Sequence, residues 1–201
     1  MAERARDIVY RWVAISEDPI ARPATLPAIR VLADALIDWT AATRGLYPPG
    51  LNSLRVGALY AWPSAEPPKG IVPPPYTELA ALSVRSNGAF VGDMSALDDI
   101  FAVEAWAQAL TSLGDYGAKM DQIEEKVGFV LNVETHMRVD VGSSTIASLP
   151  TELREGLLAY FNPPVNHYLG SLQTLADFRN NECLDTVWEV VIPADEVARA
   201  L

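Results

Sequence analysis

The sequence has very few of the residues from which disulfides, metal sites and nucleophilic centres are usually built. Its 201 residues include one cysteine, Cys183, and two histidines, His136 and His167. A single cysteine excludes an internal disulfide and a cysteine-based zinc site, and the histidines lack the spacing of paired metal ligands. Cys183 also stands beside Glu182 and Asp185, whose negative charges oppose formation of a reactive thiolate. We therefore expect no metal site and no cysteine-centred catalysis.

Long apolar runs and the common catalytic motifs are missing as well. No apolar run approaches the roughly 18 residues that a membrane-spanning helix needs, and the charged start MAERARDIVYRW lacks the apolar centre of a signal peptide. Neither a GxSxG motif nor a glycine-rich phosphate loop occurs. We expect no cofactor, no membrane partner and no secretion by a signal peptide. The expected location is the virion if the protein is viral, and otherwise the cytoplasm.

Lysine is scarce, and the charge is strongly negative. Twelve arginines and three lysines stand against 26 acidic residues, for a formal net charge of −11. Residues 61–201 carry the excess, with eight basic and twenty acidic residues. An acidic surface repels phosphate backbones, so nucleic acid is not an expected partner except through a local arginine patch. The preference for arginine over lysine is typical of protein interfaces.

Apolar residues make up half of the chain, and their spacing predicts both helices and strands. Recurrence at three and four residues predicts helices over 3–15, 25–44, 95–113, 116–126, 151–161 and 165–178, and a short one after Pro193. Alternation predicts strands over 54–62, 127–144 and 186–192, and Asn87-Gly88 predicts a β-hairpin over 77–93. In the second helix we expect Arg30, Asp34 and Asp38 on the outer side.

This order of elements indicates an α+β fold. We predict a mostly antiparallel sheet of about four to five strands packed with about five helices. A chain of 201 residues is short enough for one domain, so we predict a single domain over 1–201. The only candidate boundary is the proline-rich loop at about 63–76, PSAEPPKGIVPPPY, which has six prolines in fourteen residues.

One predicted strand carries a row of chemically active side chains. In VGFVLNVETHMRVDVGSS, residues 127–144, the row is Glu134, His136, Arg138 and Asp140. On a strand these side chains share one face at about 7 Å spacing, where a carboxylate beside His136 favours a general base. A charged strand face is also what a sheet presents to water or to a partner chain. We interpret the row as a solvated or interface face, with catalysis by His136 as the alternative.

A second candidate contact segment is VPPPY, which matches the pattern PPxY. Its residues are Pro73, Pro74, Pro75 and Tyr76. Such a segment forms a polyproline helix that aromatic grooves of the WW type bind at little entropic cost. It resembles the motif by which viral matrix and Gag-type proteins recruit host factors, which implies a binding role. The alternative is a stiff surface connector.

These features favour a protein that works by contact over an enzyme. We predict a non-enzymatic assembly subunit, a structural protein of a virus or phage particle such as a coat, neck or tail component. Its expected partners are copies of itself or other particle proteins. One alternative is an acidic inhibitor or immunity-type protein that binds a basic partner by charge complementarity. The other is a small enzyme centred on His136.

Overall fold

The computed structural model describes residues 6–23, 25–47, 51, 53–66, 72–128, 136–138, 141–180 and 187–200. The elements are β1 Arg6–Ala14, β2 Thr25–Pro27, α1 Ala28–Thr43, β3 Leu59–Ala61, β4 Thr77–Arg85, β5 Phe90–Asp93, α2 Ser95–Phe101, α3 Val103–Ser112, α4 Tyr116–Val127, β6 His136–Arg138, α5 Ser143–Ser148, α6 Thr151–Ser171, β7 Gln173–Thr174, α7 Leu175–Asn180, β8 Trp188–Ile192 and α8 Ala194–Ala200. The strand pairs among them are antiparallel. The predicted α+β class is confirmed.

The chain groups into two compact units, each built from separated stretches of sequence. Unit 1 comprises Met1–Arg22, Gly57–Ser95 and Ser171–Leu201, and unit 2 comprises Pro23–Val56 and Ala96–Gly170. The proline-rich loop at 63–76 lies within unit 1. Compact units of this kind occur within single domains as well as between domains, so the single domain over 1–201 stays a prediction.

Unit 1 is built on strands. β1 and β4 pair over nine residues, from Arg6 opposite Arg85 to Ala14 opposite Thr77. A second sheet has the strand order β3-β8-β5-β7, and a bridge from β1 to the residue after β3 links the two sheets. Alternate residues of both sheets share one hydrophobic core, which includes Val9, Leu82, Val84, Val91, Val190 and Ile192.

Unit 2 is built on α1, which is buried on nearly all sides. Eight consecutive residues, 31–38, are buried, as expected of a helix in the middle of a core. The short strand β2 leads directly into α1 and pairs with β6. α6 turns one side towards a core, with buried residues at intervals of three and four: Leu153, Leu157, Phe161, Val165 and Tyr168.

The predicted helix over 3–15 is wrong, because residues 6–14 form β1. The apolar residues of this segment also fit an alternating pattern. Val9 and Val13 are buried, whereas their neighbour Ile8 is 43% exposed. β-Branched and aromatic residues favour strands, and the long pairing with β4 decides the outcome.

The predicted β-hairpin over 77–93 is wrong as well. Asn87-Gly88 does lie in a tight turn, in which the Gly88 N–H donates to the Arg85 carbonyl at 2.9 Å. Neither Asn87 nor Gly88 has the positive φ of a two-residue hairpin turn. The two strands pair with different partners, β4 with β1 and β5 with β8 and β7.

The predicted helix break at Asn162-Pro163-Pro164 is a third error, since α6 continues through it for 21 residues in all. A proline inside a helix costs about 3 kcal/mol or more. The buried side of α6 offsets this cost, because Phe161 and Val165 on either side of the prolines are both in the core.

Candidate functional site

The charged row predicted for the strand over 127–144 is described in part. Glu134 and Asp140 lie outside the described residues, as does Cys183. His136 and Arg138 are exposed on one face of β6, and Met137 between them is fully buried. The predicted alternation is thus confirmed over these three residues, which present an imidazole and a guanidinium on the outer face.

The PPxY segment is exposed in unit 1. Pro73, Pro74, Pro75 and Tyr76 are all exposed, Tyr76 by 86%. Tyr76 has a φ of 61°, far from the polyproline value, and its carbonyl accepts a hydrogen bond from the Ile15 N–H at 3.1 Å. The segment therefore ends in a turn that leads into β4, and binding to a WW-type partner stays a prediction.

In the part of the chain that the structure describes, no group of three or more histidine, cysteine, aspartate or glutamate side chains is arranged to hold a metal ion. Within the same residues, none of the helices combines the length and the apolar composition that crossing a bilayer requires.

A buried charged cluster in unit 2 was missed by the sequence pattern. Asp34 and Asp38 are only 3% and 2% exposed, so their predicted place on the outer side of α1 is wrong. Arg55 is fully buried and donates from Nε to Asp34 Oδ1 at 2.6 Å. Arg30 lies 3.4 Å from the other carboxylate oxygen. Arg55 also donates to the Tyr168 hydroxyl, with its guanidinium 4.9 Å from the centre of that ring.

The second carboxylate of the cluster fixes the segment before β3. Asp38 accepts hydrogen bonds from the main-chain N–H groups of 54–56, at 2.8 to 3.1 Å, and from the hydroxyls of Ser53 and Tyr47. Three consecutive amides can converge on one carboxylate only from a turn. The strand predicted over 54–62 is therefore reduced to the three residues of β3.

The environment of Tyr47 keeps its phenol protonated. Burial raises the pKa of Tyr47 well above its usual value, and the negative charge of Asp38 raises it further. The hydroxyl donates to Asp38 Oδ1 at 2.6 Å. Because the charged groups of this cluster bind one another inside the core, we assign the cluster a structural role, that of joining α1 to the segment 53–56.

One signal in the sequence indicates this cluster. The α1 segment AIRVLADALIDWTAAT contains only three charged residues, Arg30, Asp34 and Asp38, which recur every four positions along one side. So narrow a charged side on an otherwise apolar helix is also compatible with a buried helix whose aspartates have partners in the interior.

In unit 1, the outer edge of β4 carries main-chain groups without partners among the described residues. Tyr10 of β1 exchanges two hydrogen bonds with Trp62, at 2.9 and 2.5 Å, so its N–H and C=O point away from β4. Ala81 lies opposite Tyr10, and residues that face each other in an antiparallel pair share this orientation. Its N–H and C=O therefore point outward, and by alternation so do those of Leu79 and Ser83.

A pocket of about 310 Å³ lies along this edge. The four consecutive residues Ala81–Val84 of β4 line it, whereas β1, on the other side of β4, contributes only Arg6 among the described residues. Its apolar lining includes Leu59, Leu82, Val84, Ile192 and Val197. Among the described residues, its charged lining residues are Arg6 and Asp18. The volume is at the lower end of the range of about 300–1,000 Å³ that is usual for ligand pockets.

We call the outer edge of β4, together with the pocket beside it, the β4 groove. The sequence pattern did not predict this groove. Its parts come from β1, the segment after β1, β3, β4, β8 and α8. One local signal exists, because strand edges that face water usually carry lysine or proline, and TELAALSVR has neither.

Comparisons of this chain with protein-family models, with curated proteins and with solved structures found no match. The function is therefore inferred from the geometry of the chain itself.

Proposed function

We propose that this chain is a non-enzymatic assembly subunit that acts through protein–protein contacts, and that the outer edge of β4 is one of its contact surfaces. We propose a virus or phage particle as the setting, with the chain as a coat, neck or tail component. The observation that carries the proposal is the row of main-chain groups at Leu79, Ala81 and Ser83 that have no partner among the described residues.

A free strand edge is a template on which another chain can add a strand. Soluble proteins usually protect such an edge with lysine, proline or a bulge. β4 has neither residue, and its pairing with β1 runs through nine residues without a bulge. Each added main-chain hydrogen bond contributes about 0.5–1.5 kcal/mol net, so several in a row give a useful contact.

Unit 2 offers a second surface that supports the proposal. His136 and Arg138 are exposed side by side on β6, and arginine is enriched at protein interfaces. We propose this face as a further contact, to be tested after the β4 edge.

The substitution Ala81→Pro tests the proposal directly. Proline at this position removes an N–H that points outward and leaves the ladder to β1 in place. In the absence of another protein, the available partner is a second copy. At high concentration the wild type should therefore show a mass above the 21.9 kDa monomer in size-exclusion chromatography with light scattering. The Ala81→Pro chain should be monomeric with a nearly unchanged Tm.

Ala80→Pro is the matched control, because the N–H of Ala80 faces β1. This variant should lower Tm by several degrees, since it removes a hydrogen bond inside the sheet. Two results contradict the proposal: a wild type that stays monomeric at the highest attainable concentration, or an Ala81→Pro chain that associates as strongly as the wild type.

A further inference from the structure

We infer that the preferred occupant of the β4 groove is an extended, basic segment of a partner protein, with aliphatic side chains at alternate positions that enter the pocket. The inference rests on the part of the proposed function that makes the β4 edge a contact surface, and not on self-assembly, because it names the partner of that edge.

The main-chain groups of the edge select an extended segment. The outward-facing N–H and C=O groups occur at Leu79, Ala81 and Ser83, every second residue along β4. On a strand this spacing is roughly 6.6–6.8 Å, and an added strand presents complementary groups at the same interval. A helix satisfies its own main chain and cannot bond to such a row.

The pocket selects the side chains of that segment. A residue that faces a β4 residue across the new pair projects to the same side of the sheet. Leu82 and Val84 project into the core side, at 7% and 5% exposure, and both line the pocket. Partner residues opposite Leu82 and Val84 therefore point into an apolar space. Because they are two positions apart, the segment needs aliphatic residues in alternation.

The charge around the groove favours a basic segment. Asp18 lines the pocket, and Glu78 is exposed on the same side of β4 as Leu82. Arg6 is the one cation among the described lining residues, while Arg85 at the end of β4 is bound to the Glu196 carboxylate.

The net charge of −11 also repels a second copy of this chain. The same charge attracts a segment that carries lysine or arginine.

Synthetic peptides test the chemistry of the occupant without altering the fold. The first probe is a blocked, fluorescein-labelled peptide of alternating valine and threonine with a lysine at each end. Its binding to the full chain is followed by fluorescence anisotropy. A second peptide has threonine in place of each valine, and a third has glutamate in place of each lysine. We expect both changes to weaken binding at least tenfold, and Ala81→Pro in the protein to do the same for the first peptide.

Variants of the protein test where the charge acts. Glu78→Lys should weaken binding of the lysine-ended peptide severalfold and strengthen binding of the glutamate-ended one. Glu155→Lys is the matched control, since Glu155 is an exposed residue of unit 2 and the same charge change there should leave both affinities nearly unaltered. Equal effects of the two variants would show that only net charge matters, and would overturn the inferred site.

Salt separates this inference from the proposed function. Raising the ionic strength should weaken binding of the basic peptide and should strengthen self-association of the acidic chain, because screening acts on an attraction in one case and a repulsion in the other. If the wild type self-associates through Ala81 but the valine and threonine peptides bind alike, the inference is overturned and the proposed function stands. If the wild type is monomeric yet binds the first peptide selectively, self-assembly is overturned and the inference stands.

Discussion

A buried cluster in unit 2 and a strand edge in unit 1 differ in whether their polar groups are paired. In unit 2, the carboxylates of Asp34 and Asp38 are buried and bind donors from neighbouring segments. In unit 1, the main-chain groups at Leu79, Ala81 and Ser83 have no partner among the described residues. A buried polar group left unpaired costs about 1–3 kcal/mol, whereas an exposed strand edge stays hydrated until another strand replaces the water. The comparison indicates that the closed cluster provides stability, and we propose that the edge without partners among the described residues provides binding.

The largest effect is expected from breaking the closed cluster at Arg55. Arg55→Met leaves Asp34 as a buried carboxylate without its nearest cation, and should lower the free energy of unfolding by about 3–5 kcal/mol. Urea denaturation measures the change. Arg30→Met is the control, because the Arg30 side chain is 24% exposed and its contact with Asp34 is longer. Equal losses from both variants would contradict the assignment of Arg55 as the main partner.

A smaller and pH-dependent effect is expected at Tyr47. Tyr47→Phe removes a hydrogen bond to a buried carboxylate, for a loss of about 1.5–3 kcal/mol near neutral pH. Because the folded pKa of Tyr47 is raised, its contribution is complete below the usual tyrosine pKa of about 10 and is lost as the pH rises above that value. Denaturation at pH 8 and pH 11 should show the difference between wild type and variant shrink.

Tyr160→Phe is the control for this prediction. The Tyr160 hydroxyl donates to Gln108 Oε1 at 3.1 Å, and the side chain is exposed. Its removal should change the free energy of unfolding by less than the Tyr47 substitution does. A larger effect at Tyr160 would argue against a special role for the buried cluster.

The smallest loss of stability is expected from a substitution at Trp12. The comparison here is between an unpaired and a paired indole N–H. The buried Nε1 of Trp12 in unit 1 has no hydrogen-bond partner among the described residues, whereas Nε1 of Trp106 in unit 2 donates to the Ile100 carbonyl at 2.7 Å. Trp12→Phe should therefore cost less than Trp106→Phe by about 1 kcal/mol. Thermal unfolding of the two variants measures the difference, and a reversed order would contradict it.

Local patterns in the sequence predicted much of the fold. The helix over 116–126 and the strand over 186–192 correspond to α4 and β8, and the short helix after Pro193 to α8. The errors occur where distant residues decide the outcome. The apolar spacing of the β1 segment is compatible with a helix, and its pairing with β4 makes it a strand. The turn at Asn87-Gly88 joins strands whose partners lie elsewhere in the chain.

The candidate sites also include features that local sequence patterns predict and features that depend on distant residues. The alternation of His136, Met137 and Arg138 was predictable, because it is a property of three adjacent residues on a strand. The burial of Asp34 and Asp38 was indicated only by the small number of charges in α1, because the helical pattern does not show that other segments cover the charged side of that helix.

By itself, the sequence determined the α+β class, the acidic charge and several element positions, because these depend on composition or on residues a few positions apart. Only the tertiary structure decided which carboxylates are buried and which strand edge has no partner among the described residues. Arg55 reaches Asp34 from 21 positions away and Tyr168 from 113, and the β4 groove joins residues from Arg6 to Val197. Contacts over such separations are set by how the elements pack, and no local pattern records them.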